Sequence, residues 1–480
     1  MMHQSLLFKT ISLLDHDEMA ELGYFVHSGY FNKGKRAKQA EVLYAFLKDR
    51  FGHLEELDLD KEAVCAVLYP GKTIAELQKT MSELQQIVEK FIAWRQVFEQ
   101  PDSHIKQEIA LIRFLYERSN EDNARQINKL LRDYEANTPI KDTAYYYRRY
   151  QLETQLSKVR TQFNTKSDDL NIGAAMRSLD VFFLTAQLEN ACSMLVQSWL
   201  THIDTATPLQ IVSKIVAESR HDNYPEAPLL GILRDAFELL NNPNNGHVYF
   251  RELSEKLRVS GHTVPFSLLL QLNAYLRNYC TRQYNQGESS FLTTLFELHE
   301  KHLADGTLYQ NNLLLPGTLQ NIVNVALKLG ENDWVYRFLQ THCDRIGGTS
   351  QPDEVYRLNL ANYYLATKQY SLATDTLPQQ YHDTQYEQAA RRLEIKAYFE
   401  TDSPLLLHKL NAFKVFIHRE HHRQNISDNV YEANNNFMKI VSKLGQFQFA
   451  ADKSNNKKQV EKIKKMKAVA EREWLLEKLA

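Results

Sequence analysis

The sequence predicts an all-α protein, an α-solenoid of helical hairpins with a separate helical module in front and a long closing helix behind. Three observations carry that prediction. The 480 residues contain only 16 glycines and 12 prolines, against the usual roughly 7% and 5%, so chain breakers are scarce and helix formers plentiful. No segment alternates apolar and polar residues at period two beyond a few positions, which leaves no strand signal. The breakers that do occur, among them Thr138-Pro139, Thr207-Pro208, Asn285-Gln-Gly287, Leu315-Pro-Gly317 and Gly347-Gly348, recur mostly at intervals of roughly 30 to 40 residues, as in helical repeats.

Taken in order, residues 4–14 are apolar at helical spacing, and Asp15 with Glu18 three residues on forms a capping-box start for a helix that runs to His27. Ser28-Gly-Tyr-Phe-Asn32 breaks it. A third helix spans about 38–50 and a fourth 61–68. After Tyr69-Pro-Gly71 a long helix follows over 74–98, with Leu77, Met81, Leu84, Ile87, Val88, Phe91 and Trp94 at amphipathic spacing. Pro101 closes this module, assigned to residues 1–100. Residues 101–260 read as less regular hairpins: 104–118 with 121–136, 141–163 with 169–200, and an irregular patch over 208–258.

Residues 261–421 carry the clean pairs: 265–283 with 288–303, 316–329 with 331–345, 353–367 with 370–378, and 384–400 with 403–421. The clearest unit spans 356–400. Leu360, Ala361, Tyr364, Tyr370, Ala373 and Leu377 sit where two helices of a hairpin touch, with small residues where axes cross and aromatics where a gap must be filled. Gly330 is placed as a C-cap, Ser403 as an N-cap and Pro404 in a first helical turn. Residues 422–480 are assigned as C-terminal capping helices. Within them 456–480 reads as one long helix that covers the end of the array, since a terminal repeat needs its exposed face closed.

Composition excludes several function classes. Lys and Arg total 57 against 59 Asp and Glu, a formal net charge of -2, so nothing global favours nucleic acid or membrane. The four cysteines are far apart and form no C-x-x-C pair; free thiols in a reducing, cytoplasmic setting are expected. The first residues show no cationic stretch followed by an apolar run, so no signal peptide is expected. The continuous apolar runs are far shorter than the roughly 20 residues that span a bilayer.

The Ser28-Gly-Tyr-Phe-Asn32 motif, Leu68-Tyr-Pro-Gly71 leading into Met81-Ser82-Glu83-Leu84, the hairpins after Leu319 and the terminal Glu473-Trp-Leu-Leu-Glu-Lys-Leu479 together resemble a family of uncharacterised, tetratricopeptide-like all-helical proteins from Bacteroidetes. The likeness covers nearly the whole chain. It rests on packing and turn elements, so it implies TPR-like hairpins but no catalytic residues and no activity.

Tyr69-Pro-Gly71-Lys72-Thr73 ends like a phosphate-binding loop, but Ala66 stands where that loop needs its first glycine and no strand precedes it; a Pro-Gly turn between helices explains it better. His418 and His422 are one helical turn apart and could share a metal, yet no third ligand is evident, and His299-Glu-Lys-His302 is weaker still. No nucleophile elbow or Cys-His signature is present. Seven lysines crowd residues 453–467 with a single acid, Glu461, and Lys457, Lys458, Lys462, Lys464 and Lys465 are the candidate contacts for an anionic partner, a solvated helix face being the plainer reading. Tyr145-Tyr-Tyr-Arg-Arg149-Tyr mixes aromatics and arginine, for which packing is the simpler role.

The expectation is a helical-repeat scaffold with no intrinsic catalysis and no cofactor or metal, binding a protein or extended peptide on its concave face. The alternative is a DNA-binding regulator using residues 1–100 as a helix-turn-helix-like module. Gln78, Lys79, Gln85 and Gln86 would then read bases, although that helix offers no arginine before Arg95.

Overall fold

The computed structural model describes residues 5–53, 60–99, 103–117, 122–163, 171–198, 209–210, 212–214, 216, 224–225, 227–242, 246–378, 381–447 and 453–479. These residues are helical throughout. The β-structure among them is two isolated bridges, Gln310 with Leu313 and Leu314 with Ile346. By contacts the chain divides into two units, Met1–Pro139 with Ala144–Phe182, and Ile140–Thr143 with Phe183–Ala480.

The first unit opens with α1 (Leu6–Ile11), α2 (His16–Val26), α3 (Ala37–Lys48), α4 (Lys61–Leu68) and α5 (Ile74–Phe98). Asp15 caps α2 through the expected reciprocal pair with Glu18, at 2.7 and 2.8 Å. Leu22, Leu43, Leu47, Leu77, Leu84 and Phe91 meet in one core drawn entirely from residues 7–91. The two motifs singled out in this region are clamps. Asn32 is buried and its amide donates to the carbonyls of Val26 and Ala37, tying the end of α2 to the start of α3. Tyr69 donates its hydroxyl to the Gln39 carbonyl, and Gly71 takes a left-handed φ of 80° that turns the chain into α5. Pro101 lies outside the described residues.

The same unit continues with α6 (Ser103–Glu117), α7 (Asp122–Asn137), α8 (Thr143–Phe163) and the start of α9 (Ile172–Ser198). Tyr145 and Tyr146 are fully buried, Tyr145 stacks on Tyr134, and Arg149 pairs with Glu135 at 2.9 Å. Among the described residues α9 alone is long and apolar enough to cross a membrane by length and composition. Charges at Arg177, Asp180 and Glu189 interrupt its apolar runs in the sequence.

The second unit holds α10 (Pro228–Asn241), α11 (Gly246–Ser260), α12 (Phe266–Asn285), α13 (Ser290–Ala304), α14 (Pro316–Leu329), α15 (Asn332–His342), α16 (Pro352–Ala366), α17 (Tyr370–Thr376), α18 (Thr384–Glu400), α19 (Leu406–His422), α20 (Asp428–Phe447), α21 (Lys453–Lys465) and α22 (Arg472–Leu479). The irregular patch therefore contains two ordinary helices, α10 and α11, packed on each other and on α12. From α12 to α20 each helix packs on the next, α20 and α21 both pack on α22, and α14, α16 and α18 also touch in succession. Their ends share one device. Gly330, Lys368, Asp402 and Gln424 all take positive φ just beyond a helix, and each closes it with paired bonds back to the last turn, such as Lys368 N to Leu365 O and Gln369 N to Tyr364 O. Ser403 caps less directly than expected: its hydroxyl accepts from Leu405 N, and α19 starts two residues beyond Pro404.

The expected long closing helix is two helices. The chain leaves the helical path over 466–471 although no glycine or proline stands there. Contacts distant in sequence explain the break. Ala470 N bonds Ala433 O, Asn436 donates to Ala468 O, and Arg472 reaches back to the Ile463 and Lys464 carbonyls at 3.1 Å, capping α21. Glu471 pays for these in backbone strain, at a φ of 54°. Beyond the break, Leu475 and Leu479 enter a core with Phe399, Phe413, Phe437 and Ile463.

Candidate functional site

Within the second unit, α14, α16 and α18 turn one face toward a cleft of about 620 Å³, and α22 closes its far side. Leu319, Ile322, Val323 and Ala326 of α14 are fully buried in the hairpin core, and the cleft lining mixes leucines such as Leu327, Leu365 and Leu393 with polar residues. What faces the cleft is Gln320 and Asn324 one turn apart on α14, then Asn359 and Asn362 on α16.

Asn359 is buried and spends its amide on the Val355 carbonyl. Asn362 donates to Asn324 Oδ1 at 2.8 Å. An asparagine amide has two donor hydrogens and a carbonyl acceptor, so this one bond leaves the amino group of Asn324 and the carbonyl oxygen of Asn362 open, side by side at the cleft.

Charge is concentrated at the α18–α22 side. Glu471 pairs with Arg392 at 3.1 Å and with Lys396 at 2.7 Å. Burial would raise its carboxyl, but Lys396 and Arg392 outweigh that and hold it down at about 2. Arg392 is aimed by Asn434, whose carbonyl accepts at 3.0 Å and whose amide is in turn fixed by Gln388. Lys328 of α14 pairs with Glu473 at 2.6 Å, and Glu400 accepts from both Lys478 and the Trp474 indole. Trp474 stands edge-on to Phe399, centroids 5.3 Å apart. In all, six cationic and four anionic side chains line the cleft. Lys368, at the left-handed turn after α16, is exposed and the structure gives it no carboxylate.

The sites anticipated from sequence fall elsewhere. Lys462, Lys464 and Lys465 are exposed on the last turns of α21 with no ion pair, whereas the side chains of Lys457 and Lys458 lie outside the described residues. His418 and His422 are exposed with rings 4.6 Å apart, and His421 pairs with Asp428 at 2.7 Å. Among the described residues no group of three or more His, Cys, Asp or Glu is placed to hold a metal. His299 and His302 are core residues: burial, reinforced by nearby Arg277, pushes them down to about 3 and about 4, so both are neutral, and Arg277 lies 2.8 Å from His302 Nδ1.

In the N-terminal module Gln85 is engaged by Glu89 and Thr10, and Arg95 by Glu18, Glu21 and Glu99. Gln78, Lys79 and Gln86 remain exposed. The cleft itself was missed by sequence reasoning. Its one legible sign was the run of Gln320, Asn324, Asn359 and Asn362 at positions where a hairpin helix has no need of amides. No family model, no curated protein and no solved structure matches this chain.

Proposed function

We propose that the chain is a non-catalytic scaffold of the cytoplasm, in which the hairpins from α12 to α19 form a TPR-like α-solenoid, and that the cleft along α14, α16 and α18 binds a protein partner through an extended peptide. On this reading the resemblance to the uncharacterised TPR-like Bacteroidetes family reflects shared hairpin packing. One observation carries it: three helices that touch in succession present amides and cations, interleaved with leucines such as Leu327, Leu365 and Leu393, to a common cleft. Helical arrays use such surfaces for recognition, with affinity set by a few anchors.

The test is affinity capture from native lysate by the full chain and by its Lys368→Glu variant, with bound proteins identified by mass spectrometry. A partner retained by the first and lost by the second is expected. Identical captures from both would sink the reading.

A further inference from the structure

Resting on the reading of the cleft as a peptide groove, we propose that its ligand is an acidic, extended peptide whose main chain is read by the Asn324–Asn362 amide pair and whose carboxylate is taken by Lys368, with α22 as a fixed wall. The amide pair comes first. Its single internal bond, 2.8 Å, leaves a donor and an acceptor adjacent to one another. This holds whichever way either amide is placed, because a bond between two amides always leaves one amino group and one carbonyl. An extended residue presents its own N–H and C=O toward the same side, so one residue of peptide backbone matches the pair. Gln320, one turn before Asn324, adds a third amide along the same line.

The acidic character follows from the charges. The cleft already accommodates carboxylates, since Glu471 and Glu473 of the C-terminal segment are held there by Arg392, Lys396 and Lys328. Those cations are therefore spent. Arg472 is spent on the carbonyls that end α21, which leaves Lys368, on the turn immediately following Asn362's helix, as the lining cation for which the described residues supply neither a carboxylate nor a carbonyl. The segment itself is an unsuitable candidate for displacement, because Leu475 and Leu479 are buried in the core with Phe437 and Phe413. The space beside α22 is what remains for a ligand.

The experiment uses the full chain and a fluorescein-labelled, capped decapeptide of alternating Ser and Glu, read by anisotropy at low salt. Two twins serve as controls, one with Gln for every Glu and one N-methylated along the backbone. Wild type is expected to bind the N-methylated twin about tenfold more weakly, the loss of main-chain hydrogen bonds. Asn324→Ala with Asn362→Ala should shrink that ratio to below about twofold, and Lys368→Gln should erase the preference for Glu over Gln. The ratio measured on wild type alone keeps the test valid if the double variant fails to fold. A peptide that binds with no penalty for N-methylation overturns this proposal and leaves the groove reading standing. Absence of binding by both the Glu and the Gln peptide overturns both.

Discussion

Glu471 adopts a backbone conformation that L-residues avoid, and in doing so sets its carboxylate between Arg392 and Lys396. Those cations hold the carboxyl at about 2 although it is partly withdrawn from water, against 4.5 for the free group. A depressed value means that the ionised form stabilises the fold. The contribution is complete above 4.5 and disappears as pH falls toward 2. Glu471→Gln keeps the shape and removes the charge, stranding Lys396, whose side chain is only 9% exposed. We expect a loss of about 3 kcal/mol at neutral pH in urea unfolding, with the gap to wild type closing as pH is lowered from 4.5 toward 2. A gap that stays constant across that window would mean the charge contributes nothing. None of this was legible in the sequence. Residues 466–473 have good helix propensity and no breaker, and apart from the Arg472 cap the contacts that bend them come from residues far off in sequence, 32 away for Asn436 and 75 for Lys396. Local propensity yields where a buried ion pair and an arginine cap both demand the turn.

The helix ends show how much was legible one level up. Gly330 is legible as a C-cap from its place at the end of a helical pattern and before a polar turn, because glycine is the residue that enters the left-handed region without penalty. Lys368, Asp402 and Gln424 do the same work with side chains that give no such signal. Gly330, Lys368 and Asp402 follow one another at roughly the 34-residue length of a two-helix repeat, which is why the hairpins from 316 to 422 were placed within a few residues by sequence while their caps were not. The shared cap makes two predictions of opposite sign. A Cβ at Gly330 would meet nothing within 4 Å, so Gly330→Ala costs only backbone strain, about 1 kcal/mol. Asp402 is exposed and pays that strain already. Asp402→Gly should therefore stabilise by about 0.5 kcal/mol, the relief being partly offset by glycine's greater freedom when unfolded. Urea midpoints moving in the same direction for both variants would show that the left-handed caps do not govern stability at these turns.

At the scale of the whole molecule, the first unit contains a core that closes within its first hundred residues. The N-terminal core uses residues 7–91 alone, with Leu22, Leu43, Leu47, Leu77, Leu84 and Val88 fully buried. Its clamps are internal too: Asn32 joins α2 to α3, Tyr44 bonds the Met19 carbonyl at 2.7 Å, and Arg36 of the turn before α3 pairs with Glu83 of α5 at 2.8 Å. A segment of about 100 residues with one closed core is large enough to fold unaided. We therefore expect residues 1–99, expressed alone, to be helical by circular dichroism and to unfold in urea in a single cooperative transition. Gradual loss of helicity without a transition would mean that the module depends on the rest of its unit. The same fragment separates the scaffold reading from its rival. A helix-turn-helix reader binds duplex DNA with an affinity that falls steeply with salt, since phosphate contacts release counter-ions. In this module Arg95 is held by three glutamates and Gln85 by Glu89, so the long helix presents Gln78, Lys79 and Gln86 with little net positive charge. The expected outcome is no salt-dependent retention of duplex DNA by the folded fragment in a gel-shift titration. A shift that strengthens as salt is lowered and vanishes in Lys79→Glu would transfer the function from the hairpin cleft to α5.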